Sequence, residues 1–297
     1  MKFLISNDDG IHAPGLLALY QALCQIGEVI VVAPNEEQSG SASSLHISQP
    51  LYPHVLPSGF IAVNGSPADC VYLALHELYP DTQFDCVITG INSGANLGQD
   101  VLFSGTFGAA LTAQLFGVPA IATSLVGHRI KGNGQDQTSH YQMAANEIVK
   151  ILTKTPILEE LKRLPYHVLN INIPNVDTAE GIMGRKITRL GHSLIEKPVY
   201  HMVDPRGRDA YWLCLKKCQN LPTKEYVDAS INTSIDSSVN DCVSDNPKLE
   251  GQPRADSNDI NIYTDDKAVA AGYISLSPVR LHHTPASTLN KFSALAL

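Results

Sequence analysis

Short apolar runs that end in oxygen- and glycine-rich loops alternate with helical patterns through the first half of the chain. This alternation limits the fold more than any other feature. Lys2-Phe3-Leu4-Ile5-Ser6 reads as a buried strand that stops at Asn7-Asp8-Asp9-Gly10. After a Pro14-Gly15 break comes the helical pattern Leu16-Leu17-Ala18-Leu19-Tyr20. Glu28–Pro34 is a second β-branched strand, and Asn35–Ser44 a loop. Ser66-Pro67-Ala68-Asp69 has the residues that open a helix, here through Tyr79: an N-cap serine, proline at the first helical position, and an acceptor three residues on. Phe84–Thr89 reads as a strand ending at Gly90, Thr106–Phe116 as a helix, and Pro119–Ser124 as a strand. Tyr141–Leu152 is a further helix, and Val168–Pro174 a strand with a polar alternate face. Strands joined through helices predict a three-layer α/β/α protein with a Rossmann-like, mostly parallel sheet.

In such sheets ligands bind beyond the carboxyl ends of the strands, and three of the loops there carry chemistry. The first holds Asp8 and Asp9, the second Ser39-Gly40-Ser41, the third Gly90-Ile91-Asn92-Ser93-Gly94-Ala95-Asn96-Leu97-Gly98. An adjacent acidic pair serves either as a plain loop-shaping turn or as two like charges that want a cation between them. Carboxylates, a hydroxyl and an amide carbonyl form an all-oxygen donor set, suited to Mg²⁺ or Mn²⁺ over zinc. Ser104-Gly105-Thr106 opens the Ala-rich helix, where it is either a cap or a phosphate cradle. Neither a Walker pattern nor G-x-G-x-x-G occurs, which argues against ordinary nucleoside triphosphate or dinucleotide binding.

Composition narrows the partners. The 297 residues are 44% hydrophobic, enough for a sizeable core, and carry a net charge of −8. That balance disfavours a nucleic-acid polymer, which normally meets a basic stripe. No apolar window is long enough to span a membrane. The first residues do not have the shape of an export leader, and the cysteines do not form a disulfide pattern, so a cytoplasmic setting is expected. Cys24, Cys70 and Cys86 lie in apolar stretches and are expected to be buried thiols; Cys214 and Cys218 are spaced for zinc, but no second ligand pair accompanies them. Residues 219–259 hold three Lys or Arg against eight Asp or Glu, a local net of −5, and read as a mobile acidic insertion. Strand-like sequence resumes at Ile260–Tyr263 and Gly272–Leu276. Tyr72, Tyr79 and Trp212 are expected at the core or an interface. His12 either contacts substrate or packs its loop, and Arg206 is either a turn anchor or an intersubunit contact.

Ser6-Asn7-Asp8-Asp9-Gly10-Ile11-His12-Ala13-Pro14-Gly15 resembles the signature of the SurE survival-protein family of metal-dependent nucleotidases. So do Val32-Ala33-Pro34 with Gln38-Ser39-Gly40, Gly65-Ser66-Pro67-Ala68-Asp69-Cys70-Val71, the whole of the third loop, Ser104-Gly105-Thr106, and Asp204-Pro205-Arg206-Gly207. The resemblance implies one divalent metal ion held by Asp8, Asp9, Ser39 and Asn92, and phosphate contacts from Asn96, Ser104, Gly105 and Thr106; in metal-assisted hydrolysis Asp8 and Asp9 are the candidate catalytic residues, one ligating while the other accepts the proton of the water. It implies hydrolysis of nucleoside 5′- and 3′-monophosphates, with polyphosphate trimming. It also implies a single domain over 1–297 that forms a homodimer or homotetramer through C-terminal elements, with 260–297 as a final strand and tail. The acidic stretch at 219–259 is longer than the family's usual connection. Two rivals remain. A phosphoacceptor signalling domain would need a third Asp and a Lys ending later strands, which Ile88-Thr89-Gly90 and Ala122-Thr123-Ser124 do not supply. A nucleotide binder without turnover would use the same loops.

Overall fold

The computed structural model describes residues 1–127, 134–176, 178–192, 199–213 and 263–280. The acidic stretch 219–259, residues 260–262, Cys214, Cys218, Cys242 and His282-His283 lie outside them. The chain divides into two compact units, one formed by residues 1–191 with 262–297 and the other by 192–261.

Among the described residues the larger unit is built on a ten-stranded sheet. Its strands are β1 (Lys2–Ser6), β2 (Glu28–Pro34), β3 (Pro53–Val55), β4 (Ile61–Val63), β5 (Cys86–Ser93), β6 (Ala120–Val126), β7 (His167–Pro174) and β8 (Arg185–Arg189). The hairpin strands β9 (Val199–Val203) and β10 (Asp209–Leu213) belong to the smaller unit, and β11 (Tyr263–Thr264) and β12 (Ile274–Arg280) return to the sheet. Its order is β11-β8-β12-β7-β6-β5-β1-β2-β4-β3. The run β4-β2-β1-β5-β6-β7 is parallel throughout. β12 enters antiparallel to β7 and parallel to β8, and β3 closes the far edge antiparallel to β4.

Among the described residues there are six α-helices: α1 (Pro14–Leu23), α2 (Pro67–Leu73), α3 (Gly105–Leu115), α4 (Gly134–Lys154), α5 (Ile157–Arg163) and α6 (Asp265–Ala270). Successive strand residues face opposite layers, and the core divides accordingly. Phe3 and Ile5 pack with Leu16, Leu19 and Leu23 of α1, Ile148 and Ile151 of α4, and Leu158 of α5. Leu4 and Val32 pack with Cys70 and Val71 of α2 and with Phe107, Ala110 and Ala113 of α3. The three-layer expectation holds. Both faces of the parallel strands are covered, which is why they read as continuous apolar runs. Among the described residues no helix is long and apolar enough to cross a membrane.

Local chemistry explains most boundaries. The Ser66 side chain accepts from the Asp69 backbone N–H, and the Asp69 carboxylate accepts from that of Ser66, closing a capping box. The helical path beyond α2 continues as a π turn, Ala74–Leu78. The Pro14-Gly15 break is instead the first turn of α1, with Pro14 at a position whose N–H is unpaired in any helix. β5 does not stop at Gly90 but runs to Ser93, with its register against β6 shifted between Thr89 and Asn92. Gly90 has φ +119°, and a Cβ there would stand 2.3 Å from the Thr123 carbonyl oxygen, so only glycine fits the kink. One further expectation is corrected. Cys24 is exposed, because it follows the last turn of α1 instead of facing the sheet, whereas Cys70 and Cys86 are buried. Tyr72 and Trp212 are exposed, which leaves the interface as the reading open to them.

In the smaller unit β9 and β10 form an antiparallel hairpin. Asp204 ends its turn by accepting from the backbone N–H groups of Arg206 and Arg208, and it pairs with the Arg208 guanidinium. Arg206 thus sits in the turn through its backbone, while Arg208 supplies the charge. Those bonds hold the Asp204 carboxyl below the usual carboxylate range.

Asp265, at the start of α6, ties the C-terminal segment to the third loop. Its carboxylate accepts from the backbone N–H of Gly98 at 2.8 Å, Gly191 at 2.7 Å and Asp266 at 2.9 Å. Burial pushes this carboxyl up, and the three N–H groups oppose that shift. Asp265→Ala should strip the acceptor from these donors, at about 1–3 kcal/mol for each left buried and unpaired. Equilibrium urea unfolding reads the loss; an unchanged midpoint would remove Asp265 from the account.

Candidate functional site

Three parallel strands, β1, β2 and β5, deliver their following loops to one edge of the sheet. The loop after β1 is tied first to itself and then to its neighbours. The Asn7 side-chain amide donates to the Gly10 carbonyl at 2.9 Å, Gly10 takes φ +98°, and Ile11 N–H donates to the Pro34 carbonyl at 2.8 Å. Gln38 N–H donates to the Asp8 carbonyl at 2.7 Å, which draws the second loop over the acidic pair.

The two carboxylates are held in different ways. Asp8 is buried, and its Oδ1 accepts a short hydrogen bond from the Thr106 hydroxyl. Burial pushes its carboxyl up; the Thr106 hydroxyl and the backbone N–H groups of Asp8 itself and of Thr106 pull it down, and the Glu37 charge adds a smaller upward push. Asp8 therefore meets the N-terminal end of α3, where partial positive charge favours an anion. No lysine or arginine acts on it among the described residues. Asp9 is half-buried, and its Oδ2 accepts from the Ser93 backbone N–H at 2.9 Å, one residue beyond Asn92.

The remaining expected donors fall around this pair. Asn92 Nδ2 donates to the Gly94 carbonyl at 3.0 Å, which leaves Oδ1 as its donor to a cation. Ser39 is exposed, and its hydroxyl donates to Glu37 at 2.8 Å while its lone pairs remain able to accept. Ser104 is the N-cap of α3 and accepts from Phe107 N–H at 3.0 Å, so its side chain serves the helix. Gly105 lies against Asp8: a Cβ there would come within 2.9 Å of Asp8 Cβ and 2.6 Å of Ser41 Oγ. Asn96 is buried, with its side-chain amide on Ser124 Oγ at 2.9 Å. His12 is exposed and lines a separate cavity of about 280 Å³ with Ile11, Leu17, Leu56 and Phe60.

These residues fit a hard divalent cation. Asp8 is a buried carboxylate opposed by a like charge, and the Ser41 hydroxyl beside Gly105 is buried without a hydrogen-bond partner. Among the described residues no group of three or more His, Cys, Asp or Glu converges. An ion here would be met by two carboxylates and neutral oxygens, a set suited to magnesium or manganese. Sequence reasoning missed Glu37 and the Thr106 bond to Asp8. The Asn35-Glu36-Glu37 stretch was a visible signal for the first, while nothing local marks the second.

Fold and site together define a Rossmann-like α/β protein with an oxygen-lined acidic centre at the carboxyl edge of its sheet. The model of the family described as Survival protein SurE matches residues 3–197, and the chain belongs to that family. It is 64% identical over 297 residues to a protein of Psychrobacter cryohalolentis named 5′-nucleotidase SurE, covering 100% of both chains. A protein of the same name from Acinetobacter baumannii is 39% identical over 295 residues, covering 99% of each. The crystal structure of the SurE protein from Aquifex aeolicus superposes with a TM-score of 0.73 at 30% identity, covering 100% of both chains.

Gly105→Ala should push a methyl group into Asp8 and Ser41. Overpacking of this kind costs about 1–3 kcal/mol, and urea unfolding measures it. Full stability in the variant would mean that Asp8 and α3 are not in contact.

Proposed function

We propose that this protein is a metal-dependent phosphomonoesterase that hydrolyses nucleoside 5′- and 3′-monophosphates to nucleoside and phosphate, and that it trims polyphosphate. The observation that carries this reading is the acidic pair itself. Asp8 and Asp9 leave one strand end, reach to α3 and to the end of β5, and include a buried carboxylate on which no described basic side chain acts. The curated relatives named 5′-nucleotidase SurE support the substrate class.

Asp8, Asp9, Ser39 and Asn92 would hold one divalent ion, Mg²⁺ or Mn²⁺. Bound there, it would supply charge neutralisation at the phosphoryl oxygens and lower the pKa of a coordinated water. The Thr106 hydroxyl orients Asp8, and orienting partners of this kind are worth about 10–100-fold in metal affinity. The N-terminal turn of α3, Ser104 to Thr106, together with Asn96, would meet the phosphate oxygens through N–H groups that need no rearrangement as charge builds. Asp9 is the more exposed of the pair and the better placed to accept a proton from the attacking water. Residues 1–297 would act as one catalytic domain in the cytoplasm, with 219–259 as an insertion in it.

A homodimer or homotetramer formed through C-terminal elements completes the proposal. Tyr200, Met202, Tyr211 and Trp212 of the β9–β10 hairpin are exposed, and an isolated two-stranded ribbon is marginal in water. Light scattering should give twice or four times the 32.1 kDa chain mass; a monomer at all concentrations would exclude the assembly.

Inorganic phosphate release from AMP tests the activity. Release should stop in EDTA and return with Mg²⁺ or Mn²⁺. Asp8→Asn or Asp9→Asn should lower kcat on the order of 10² or more. EDTA-resistant release, or near-normal rates in both variants, would contradict the proposal.

A further inference from the structure

Register places Asn92 of β5, Ser124 of β6, Asn172 of β7 and Ser275 of β12 in one row across four adjacent strands. Partners at one level share a face of the sheet. The row therefore runs from the acidic centre into the α3 layer, where Ala120, Ala122 and Val168 precede it on the same strands. Ser124, Asn170, Asn172 and Ser275 are fully buried. Buried amides are costly unless their hydrogen bonds are made, so what each of them holds is informative.

Most of them hold Asn96. Asn172 Oδ1 accepts from the Asn96 backbone N–H at 2.9 Å, and Asn172 Nδ2 donates to the Asn96 carbonyl at 3.0 Å. Asn170 Nδ2 donates to the same carbonyl at 2.8 Å, and Ser124 Oγ accepts from Asn96 Nδ2 at 2.9 Å. One loop residue thus has both main-chain polar groups and its side-chain amide held by sheet side chains. The loop is pinned on either side, by Gly94 N–H on the Leu125 carbonyl and by Gly98 N–H on Asp265. Asn170 keeps an Oδ1 that is buried without a partner, a cost that packing alone would avoid with an apolar residue.

We propose that Asn172, assisted by Asn170 and Ser124, is a positioning residue that fixes Asn96 for the phosphate of the substrate. The inference rests on the nucleotidase reading and extends it to residues outside the contact set. Ser124 takes one hydrogen of Asn96 Nδ2 and leaves the second for a phosphate oxygen. With Asn96 held at both main-chain groups, that hydrogen stands in place before substrate arrives. Displacement of such a group by about 1 Å is enough to cost large factors in rate.

The test measures KM for AMP, inhibition by inorganic phosphate, calorimetric binding of phosphate, and Mn²⁺ affinity, in wild type and in Asn172→Ala. KM and the phosphate inhibition constant should rise about tenfold or more, and by more than kcat falls, as expected when a binding contact is lost. Mn²⁺ affinity should stay within about threefold of wild type, because the proposed metal ligands are not touched. Ser124→Ala, a smaller change that keeps the fold should Asn172→Ala fail to express, should move both constants in the same direction. Ser277→Ala is the control for mere destabilisation. It breaks an equally buried bond to the Thr188 hydroxyl at 2.7 Å on neighbouring strands without touching Asn96. It should lower Tm and leave both constants alone. Unchanged constants in Asn172→Ala and Ser124→Ala, or an equal rise in Ser277→Ala, would overturn the role of Asn172 while the nucleotidase reading stands. Wild type that neither hydrolyses AMP nor binds phosphate would overturn that reading and this role with it.

Discussion

The site turns on a buried carboxylate that has no basic partner among the described residues. Asp8 is taken out of water at the end of β1, where desolvation opposes its charge and Glu37 repels it. What opposes these effects is the hydroxyl of Thr106 at the start of α3, then the backbone N–H groups of Asp8 itself and of Thr106. A buried anion with only dipoles to balance it is strongly disposed to take up a cation. The rest of the edge closes around Asp8. Gly105 has no side chain because Asp8 and Ser41 occupy the space one would fill, and Gln38 binds the Asp8 carbonyl so that the second loop stays overhead.

The sheet behind the site is polar toward its carboxyl ends. Apolar side chains fill the lower parts of the strands, as at Val87, Ala120 and Val168. Toward the carboxyl ends the same face changes to Thr89, Ser124 and Asn172. Each of these has a long-range partner: Thr89 donates to the Thr106 carbonyl, while Ser124 and Asn172 hold Asn96. Loops that would otherwise wander are thereby fixed to rigid strands, which is how a site keeps its geometry before substrate binds. Asp265 extends this fixation to the far end of the third loop from a residue 167 positions away.

The parallel core was legible in the sequence because its strands are buried on both faces. Lys2–Ser6 and Glu28–Pro34 came out at their observed limits. Elements with one thin or exposed face were not legible. All three residues of β3 are exposed, β8 buries only Thr188 among Arg185–Arg189, and α5 has a single turn's worth of apolar spacing in Leu158 and Leu161. The acidic pair could be read because a strand end followed by Asp8-Asp9-Gly10 is a local signal. The support beneath it could not. Thr106 meets Asp8 across 98 residues and Asn172 meets Asn96 across 76, so in sequence the asparagines of β7 amount to no more than a polar alternate face. Ser104 was legible locally as well: its side chain caps its own helix, one of the two roles that its motif allowed.

The central claim is that one divalent cation belongs between the two N-terminal carboxylates, and an anomalous difference map from a manganese-soaked crystal tests it most directly. The account predicts a single strong peak bonded to oxygens of both Asp8 and Asp9, with Asn92 and Ser39 completing the shell. A map with no peak there, or with manganese held by other residues while Asp8 and Asp9 stay unliganded, would contradict it.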